Sequence, residues 1–90
     1  MRVFARTDSN QKEIVDGLRA IGATVHVTAQ IGNGFPDFVC GYHGNIYLME
    51  IKTEKGKLTK HEQEFFDNWT GGHLYVVRTL DDALKIVGAI

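Results

Sequence analysis

The sequence has 90 residues, 43% hydrophobic and 23% charged, with a net charge of −1 from 10 Lys and Arg against 11 Asp and Glu. These proportions describe one globular domain over 1–90 and exclude a low-complexity chain or a surface that grips nucleic acid over its whole extent. The single Cys40 excludes an internal disulfide and a cysteine-based zinc site, and no run approaches the roughly 20 apolar residues of a membrane span.

Residues 1–6 lack the apolar centre of a signal peptide, so a cytoplasmic location is expected. Asp8, Ser9 and Asn10 form a helix-start signal, and Ile14, Leu18 and Ile21 follow at helical spacing with Val15 beside them. Gly22 is placed to end this helix, and Glu13, three residues after Asn10, is placed to complete a capping box. Residues 24–28 alternate as a half-buried strand with Val25 and Val27 inward. Residues 29–35 read as a loop around Gly32-Asn33-Gly34 that lacks the order of a P-loop, so no nucleotide cofactor is expected.

Residues 37–40 (Asp-Phe-Val-Cys) and 46–51 (Ile-Tyr-Leu-Met-Glu-Ile) read as short buried strands joined by a hairpin over 41–45. Cys40 lies inside the first as a small buried hydrophobe. A polar turn at Gly56 follows, then a second helix from Leu58-Thr59 with a capping box from Thr59 to Glu62. Phe65, Phe66 and Trp69 form its core-facing stripe, and Gln63 lies on the edge of that stripe as a polar rim residue. After Gly71-Gly72, residues 74–77 give a fourth buried strand. Thr79 caps a last helix striped by Leu80, Ala83, Leu84 and Val87. The order is α-β-β-β-α-β-α, an α/β fold with a mixed four-stranded sheet flanked by helices. The second helix crosses over between parallel third and fourth strands.

If the two central strands pair antiparallel, Asp37 comes near Glu50, and alternation puts Glu50 and Lys52 on one face. Two neighbouring carboxylates in an apolar sheet call for a cation, and oxygen ligands without a Cys or His cluster favour Mg²⁺ over zinc. The alternative is an ion pair of Glu50 with Lys52 or Lys55, with Asp37 a solvated strand-start residue. Lys52, Lys55, Lys57 and Lys60 crowd this end of the sheet, either as a solvated loop or as phosphate contacts. His26, His43, His61 and His73 fall in different elements without ligand spacing.

Pro36-Asp37, a hairpin and Glu50-Ile51-Lys52 resemble the PD-(D/E)XK nuclease superfamily. Within it the chain is similar to a stand-alone, phage-type VRR-Nuc domain. The resemblance extends to Asn10-Gln11-x-Glu13-Ile14-Val15, to Leu58-Thr59-x-x-Glu62-Gln63-x-Phe65-Phe66, and to Trp69 with the following glycines, roughly residues 7–84 in all. It implies a restriction-endonuclease-like fold and metal-dependent hydrolysis of DNA phosphodiesters, with Mn²⁺ able to substitute for Mg²⁺. Asp37, Glu50 and the backbone carbonyl of Ile51 would bind the ion. Glu13 would join them directly or through water. Lys52 would meet the attacking water or the phosphate, its pKa depressed by burial beside a cation. Gln63 would lie close by and help place Lys52 or the water. Asn10, Gln11, Lys55, Lys57 and Lys60 would touch DNA.

The resemblance further implies a homodimer resolving four-way (Holliday) junctions in a bacterial or phage-infected cell. The alternatives are flap- or end-directed cleavage and a nuclease-like fold that only binds nucleic acid. Two-fold dimers are the commonest soluble oligomers, and cutting two strands symmetrically needs two sites.

Overall fold

The structure, a computed structural model, describes residues 2–90, with side-chain surroundings from Asn10 onward. Helix α1 (Arg2–Ala20) leads to strand β1 (Thr24–Val27), a 3₁₀ turn (Ala29–Ile31), β2 (Phe38–Tyr42) and β3 (Asn45–Ile51). Helix α2 (Lys60–Asn68), β4 (Leu74–Val77) and α3 (Leu80–Ile86) complete the chain. The sheet order is β1-β2-β3-β4, antiparallel at the first two junctions and parallel at the third. This is the α-β-β-β-α-β-α order and mixed sheet expected from the sequence.

The hairpin is tighter than expected. Tyr42 pairs with Asn45, leaving a two-residue loop of His43 (φ 49°) and Gly44 (φ 85°). Positive φ at both positions matches the right-handed twist of the strands it joins. Helix α1 ends as predicted: Ala23 N–H donates to Leu18 O (3.1 Å) and Gly22 N–H to Arg19 O (3.0 Å), the Schellman pattern around Gly22.

The start of α1 differs from expectation. The helix runs back to Arg2, beyond the Asp8-Ser9-Asn10 signal. No Gly or Pro interrupts residues 2–7, and cap-type residues inside a helix cost at most about 0.7 kcal/mol each. Glu13 therefore sits mid-helix and completes no capping box. Both caps downstream form as read, from Thr59 with Glu62 and from Thr79 with Asp82.

The core lies between one sheet face and the α1–α3 layer. Ile14 and Leu18 of α1 and Ala83 and Val87 of α3 are buried with Val25, Phe38, Cys40, Met49, Ile51 and Val77. Burial pushes the Cys40 thiol above its ordinary range, as expected of an inert core cysteine. Helix α2 occupies the other side of the sheet and has no fully buried residue. Phe65 and Phe66 are half-buried and Trp69 is 38% exposed, so the predicted core stripe of α2 is a shell instead. Among the described residues, no helix is long and apolar enough to cross a membrane.

Candidate active site

Strand β3 is buried from Tyr47 to Ile51 and alternates between two environments. Tyr47, Met49 and Ile51 enter the core, so Glu50 and Lys52 project to the opposite face, toward α2. Glu50 is only 2% exposed and is the sole buried charged residue among those described.

Asp37 stands one residue before β2. Its N–H donates to Met49 O (3.0 Å), and its Oδ2 accepts the Ile51 N–H (2.7 Å). The carboxylate thus takes the next rung of the ladder and is fixed beside Glu50. The loop leading to it is held from both sides. Thr28 N–H donates to Asp37 O (2.7 Å) and Thr28 Oγ1 to Pro36 O (2.8 Å). Gly34 (φ 82°) lets this loop lie directly against the His61 carbonyl of α2.

Helix α2 contributes an acid that sequence reasoning assigned only to capping. Glu62 Oε1 accepts the Thr59 N–H (2.8 Å) and also lies 2.7 Å from Lys52 Nζ. Lys52 Nζ is 3.7 Å from Glu50 Oε2. One capping carboxylate therefore orients the motif lysine.

These groups line a cleft of about 370 Å³, together with Asn10, Thr53, Gly56 and Lys57. Of the predicted residues, Asp37, Glu50, Ile51, Lys52, Asn10 and Lys57 come together here. Glu13 does not: it is exposed on α1, and Asn10, one turn earlier and directly above buried Ile14, is what α1 brings to the cleft. Gln63 is exposed too, and its Nε2 donates to Asp67 Oδ1 (2.9 Å) on the outer face of α2. Gln11, Lys55 and Lys60 lie outside the cleft lining.

Arg78 was also not anticipated. Just after β4, its Nη1 donates to Thr53 O (2.6 Å) and Gly56 O (2.8 Å), with Glu54 O at 3.3 Å. One guanidinium thereby ties down the loop that carries Lys55 and Lys57.

The electrostatics follow from packing acids around one ammonium. Burial, then the Asp37 and Glu62 carboxylates beside it, push Glu50 up to about 9, so in the metal-free cleft it holds a proton at neutral pH. Burial also pushes Glu62 upward, but the Lys52 ammonium and the Thr59 N–H outweigh it and hold Glu62 below its ordinary value. For Lys52, burial pulls downward, yet Glu62, Glu50 and Asp37 together raise it above its ordinary value. The depression expected of Lys52 belongs to the site with a cation bound; without one, the surrounding acids, Glu62 foremost, set the direction. Lys52 is a charged donor.

Whether these residues suit a divalent cation is testable on the site itself. Glu50 Oε1 is buried without a hydrogen-bond partner, a costly state that a cation would relieve. The donors are all oxygen, as Mg²⁺ requires. Among the described residues no group of three or more His, Cys, Asp and Glu side chains is placed to hold a metal ion, so Asp37 and Glu50 would supply only part of an ion's ligands.

No protein-family model matches the chain, nor does any curated protein. A solved structure described as a VRR_NUC domain superposes with a TM-score of 0.74, covering 90% of this chain and 92% of the other at 23% sequence identity. Its coverage leaves almost no part of either fold unmatched. The chain has the fold of a VRR-Nuc domain.

Proposed function

We propose that the chain is a metal-dependent DNA nuclease whose centre is Asp37, Glu50 and Lys52. The observation that carries this reading is the buried Glu50, with an unpartnered Oε1, between Asp37 and the Lys52–Glu62 pair. The Lys52–Glu62 ion pair does not account for this oxygen. Asp37 and Glu50 would hold Mg²⁺ or Mn²⁺, with the Ile51 carbonyl as the further ligand that the family resemblance supplies. The bound ion supplies Lewis-acid polarisation of the phosphodiester.

The protein's own groups do the rest. Lys52, aimed by Glu62, donates hydrogen bonds to the phosphate or to the attacking water and stabilises the negative charge that develops. Asp37 is held by the Ile51 N–H, so its orientation is set before substrate arrives. Lys57 on the cleft wall, with Lys55 and Lys60 beyond it, would meet neighbouring phosphates, and Asn10 would reach one from α1.

The favoured substrate is branched DNA, with four-way junctions cut by a homodimer. Paired cuts in such a junction require two sites, and the chain, 33 × 31 × 22 Å across, carries one such cleft among its described residues, so this substrate calls for a second copy. The deciding experiment offers equal amounts of four-way junction, flap, duplex and single strand with Mg²⁺ or Mn²⁺. Paired symmetric nicks in the junction, lost in Asp37→Asn and Lys52→Ala variants that keep their fold, are the expected result. Cutting of flaps or ends instead would keep the site and overturn the substrate. Absence of metal-dependent cutting would favour a module that only binds nucleic acid.

A further inference from the structure

Helix α2 carries a second surface beside the cleft. Glu62 faces Lys52, while His61, Glu64, Phe65, Asn68 and Trp69 recur at helical spacing on an adjoining face. With Asn33 of the loop before β2 they line a separate cavity of about 270 Å³. We propose that this cavity is a stacking site for one unpaired nucleobase next to the scissile phosphate, an inference that rests on the nuclease reading above.

Its wall is aromatic and held in place. Phe35 meets Phe65 edge-on at 5.4 Å, and Phe65 lies nearly parallel to Trp69 at 5.4 Å and 19°. Trp69 Nε1 donates to Gly72 O (3.2 Å), and Gly71 lies so close that a Cβ there would sit 2.7 Å from the ring. The indole is thus fixed in orientation while 38% exposed. An anchored ring that stays partly exposed beside Phe65 suits a stacking partner, because little rotamer freedom remains to be lost on binding.

The rim selects the ligand. The Asn33 and Asn68 amides supply both donors and acceptors. Glu64, 3.7 Å from His61 Nδ1, puts a carboxylate at the mouth, which disfavours a phosphate and favours the N–H donors of a base edge. A flat, uncharged aromatic group with polar edges meets all three conditions.

Position ties the cavity to the reaction. His61 lines the cavity and Glu62 the cleft, so the two are separated by the first turn of α2, about 10–12 Å across with its side chains. A paired, stacked base cannot enter a pocket on a helix side, whereas an unpaired one at a branch point or frayed end can. The site would therefore bias the enzyme toward DNA with an unpaired nucleotide beside the cut.

Trp69 is the chain's one tryptophan, which makes the test direct. The wild-type protein, with Ca²⁺ replacing Mg²⁺, is titrated with fluorescein-labelled branched DNA carrying unpaired nucleotides. A matched DNA has abasic residues at those positions, so its phosphate charge is identical. The base-containing DNA should quench Trp69 emission and bind about 5- to 100-fold more tightly than the abasic one. Trp69→Ala should bind both as wild type binds the abasic DNA, and Trp69→Phe should restore most of the difference. Equal affinity for the two DNAs, or unchanged tryptophan emission, in a preparation that cleaves with Mg²⁺ overturns the stacking site and leaves the nuclease reading intact. Absence of both cleavage and binding removes both. The abasic comparison needs no variant and so decides the matter even if Trp69→Ala fails to fold.

Discussion

Lys52 Nζ lies 2.7 Å from Glu62 Oε1, closer than the 3.7 Å to Glu50, its partner in the Glu-x-Lys motif. Glu62 is itself fixed by accepting the Thr59 N–H, so the cap of α2 and the aim of the motif lysine are one structure. Glu62→Gln should keep the cap, because Gln serves equally at that position of a capping box. It should remove the anion that aims Lys52. The expected result is a melting temperature near wild type with cleavage slowed about 10- to 100-fold, the usual cost of losing an orienting partner of an active-site group. Single-turnover cleavage beside thermal melting measures both. An unchanged rate would show that Lys52 does not depend on Glu62.

Glu50 gives the metal-free protein a characteristic pH dependence. Its pKa is raised from an ordinary 4.5 to about 9. Between those values the folded chain holds a proton that the unfolded chain has lost, so stability is greatest below the lower value and falls as pH rises through the upper. Glu62, shifted the other way, matters only in acid, and Lys52 only in strong alkali. The melting temperature without metal should therefore decline between about pH 5 and 9. Mg²⁺ should reverse the decline in its alkaline half, since the ion binds the ionised carboxylate and stabilises the folded state by mass action. Glu50→Gln should flatten both responses. A Mg²⁺ response that survives Glu50→Gln would place the ion elsewhere.

Arg78 makes a prediction about the loop rather than the carboxylates. Its guanidinium serves carbonyls of Thr53, Glu54 and Gly56, and its loss leaves the loop's cleft-facing part untethered. Charge-assisted hydrogen bonds of this kind contribute about 1.5–3 kcal/mol each, less where exposed as here. Arg78→Ala should lower stability modestly and raise KM for DNA, because Lys57 loses its fixed place on the cleft wall. Arg78→Lys should rescue only part, as a point ammonium cannot reach several carbonyls with a planar fork. Hydrogen exchange confined to residues 53–57 should quicken in both variants. Global quickening instead would make Arg78 a general stabiliser rather than a tether.

What could be read beforehand was whatever a local pattern dictates. The alternation of β3 fixed the shared face of Glu50 and Lys52, and the strand order brought Asp37 to them. The caps at Thr59 and Thr79 were legible because a capping box is confined to four residues. The second role of Glu62 was not, because it depends on where α2 lies over β3. Arg78 touches carbonyls more than twenty positions away, a relation no periodicity encodes. Asn10 reached the cleft as expected and Glu13 did not, because Asn10 shares the face of buried Ile14 one turn on, whereas Glu13 lies on the exposed side of α1. Trp69 carried the right stripe for a core, but α2 covers the sheet with half-buried residues only, and its far end stays open.

Gly34 tests whether the motif loop must lie against α2. Its φ is +82°, and a Cβ would run into the His61 backbone carbonyl, which has no flexible end to move aside. Gly32 has nearly the same φ, +80°, with open space around it. Both Gly→Ala changes carry a positive-φ backbone penalty, on the order of 1–3 kcal/mol at Gly32, whose φ of 80° and ψ of −167° are readily adopted only by glycine. Only Gly34→Ala also forces the loop from α2, and with it Asp37 from the cleft it shares with Glu62. Gly32→Ala should lower the melting temperature by about 5–15 °C and leave the Mg²⁺-induced stabilisation intact. Gly34→Ala should lose more and should bind Mg²⁺ measurably more weakly by calorimetry. Equal behaviour of the two would mean that the loop tolerates separation from α2, and that Asp37 is held in the cleft by the Ile51 N–H alone.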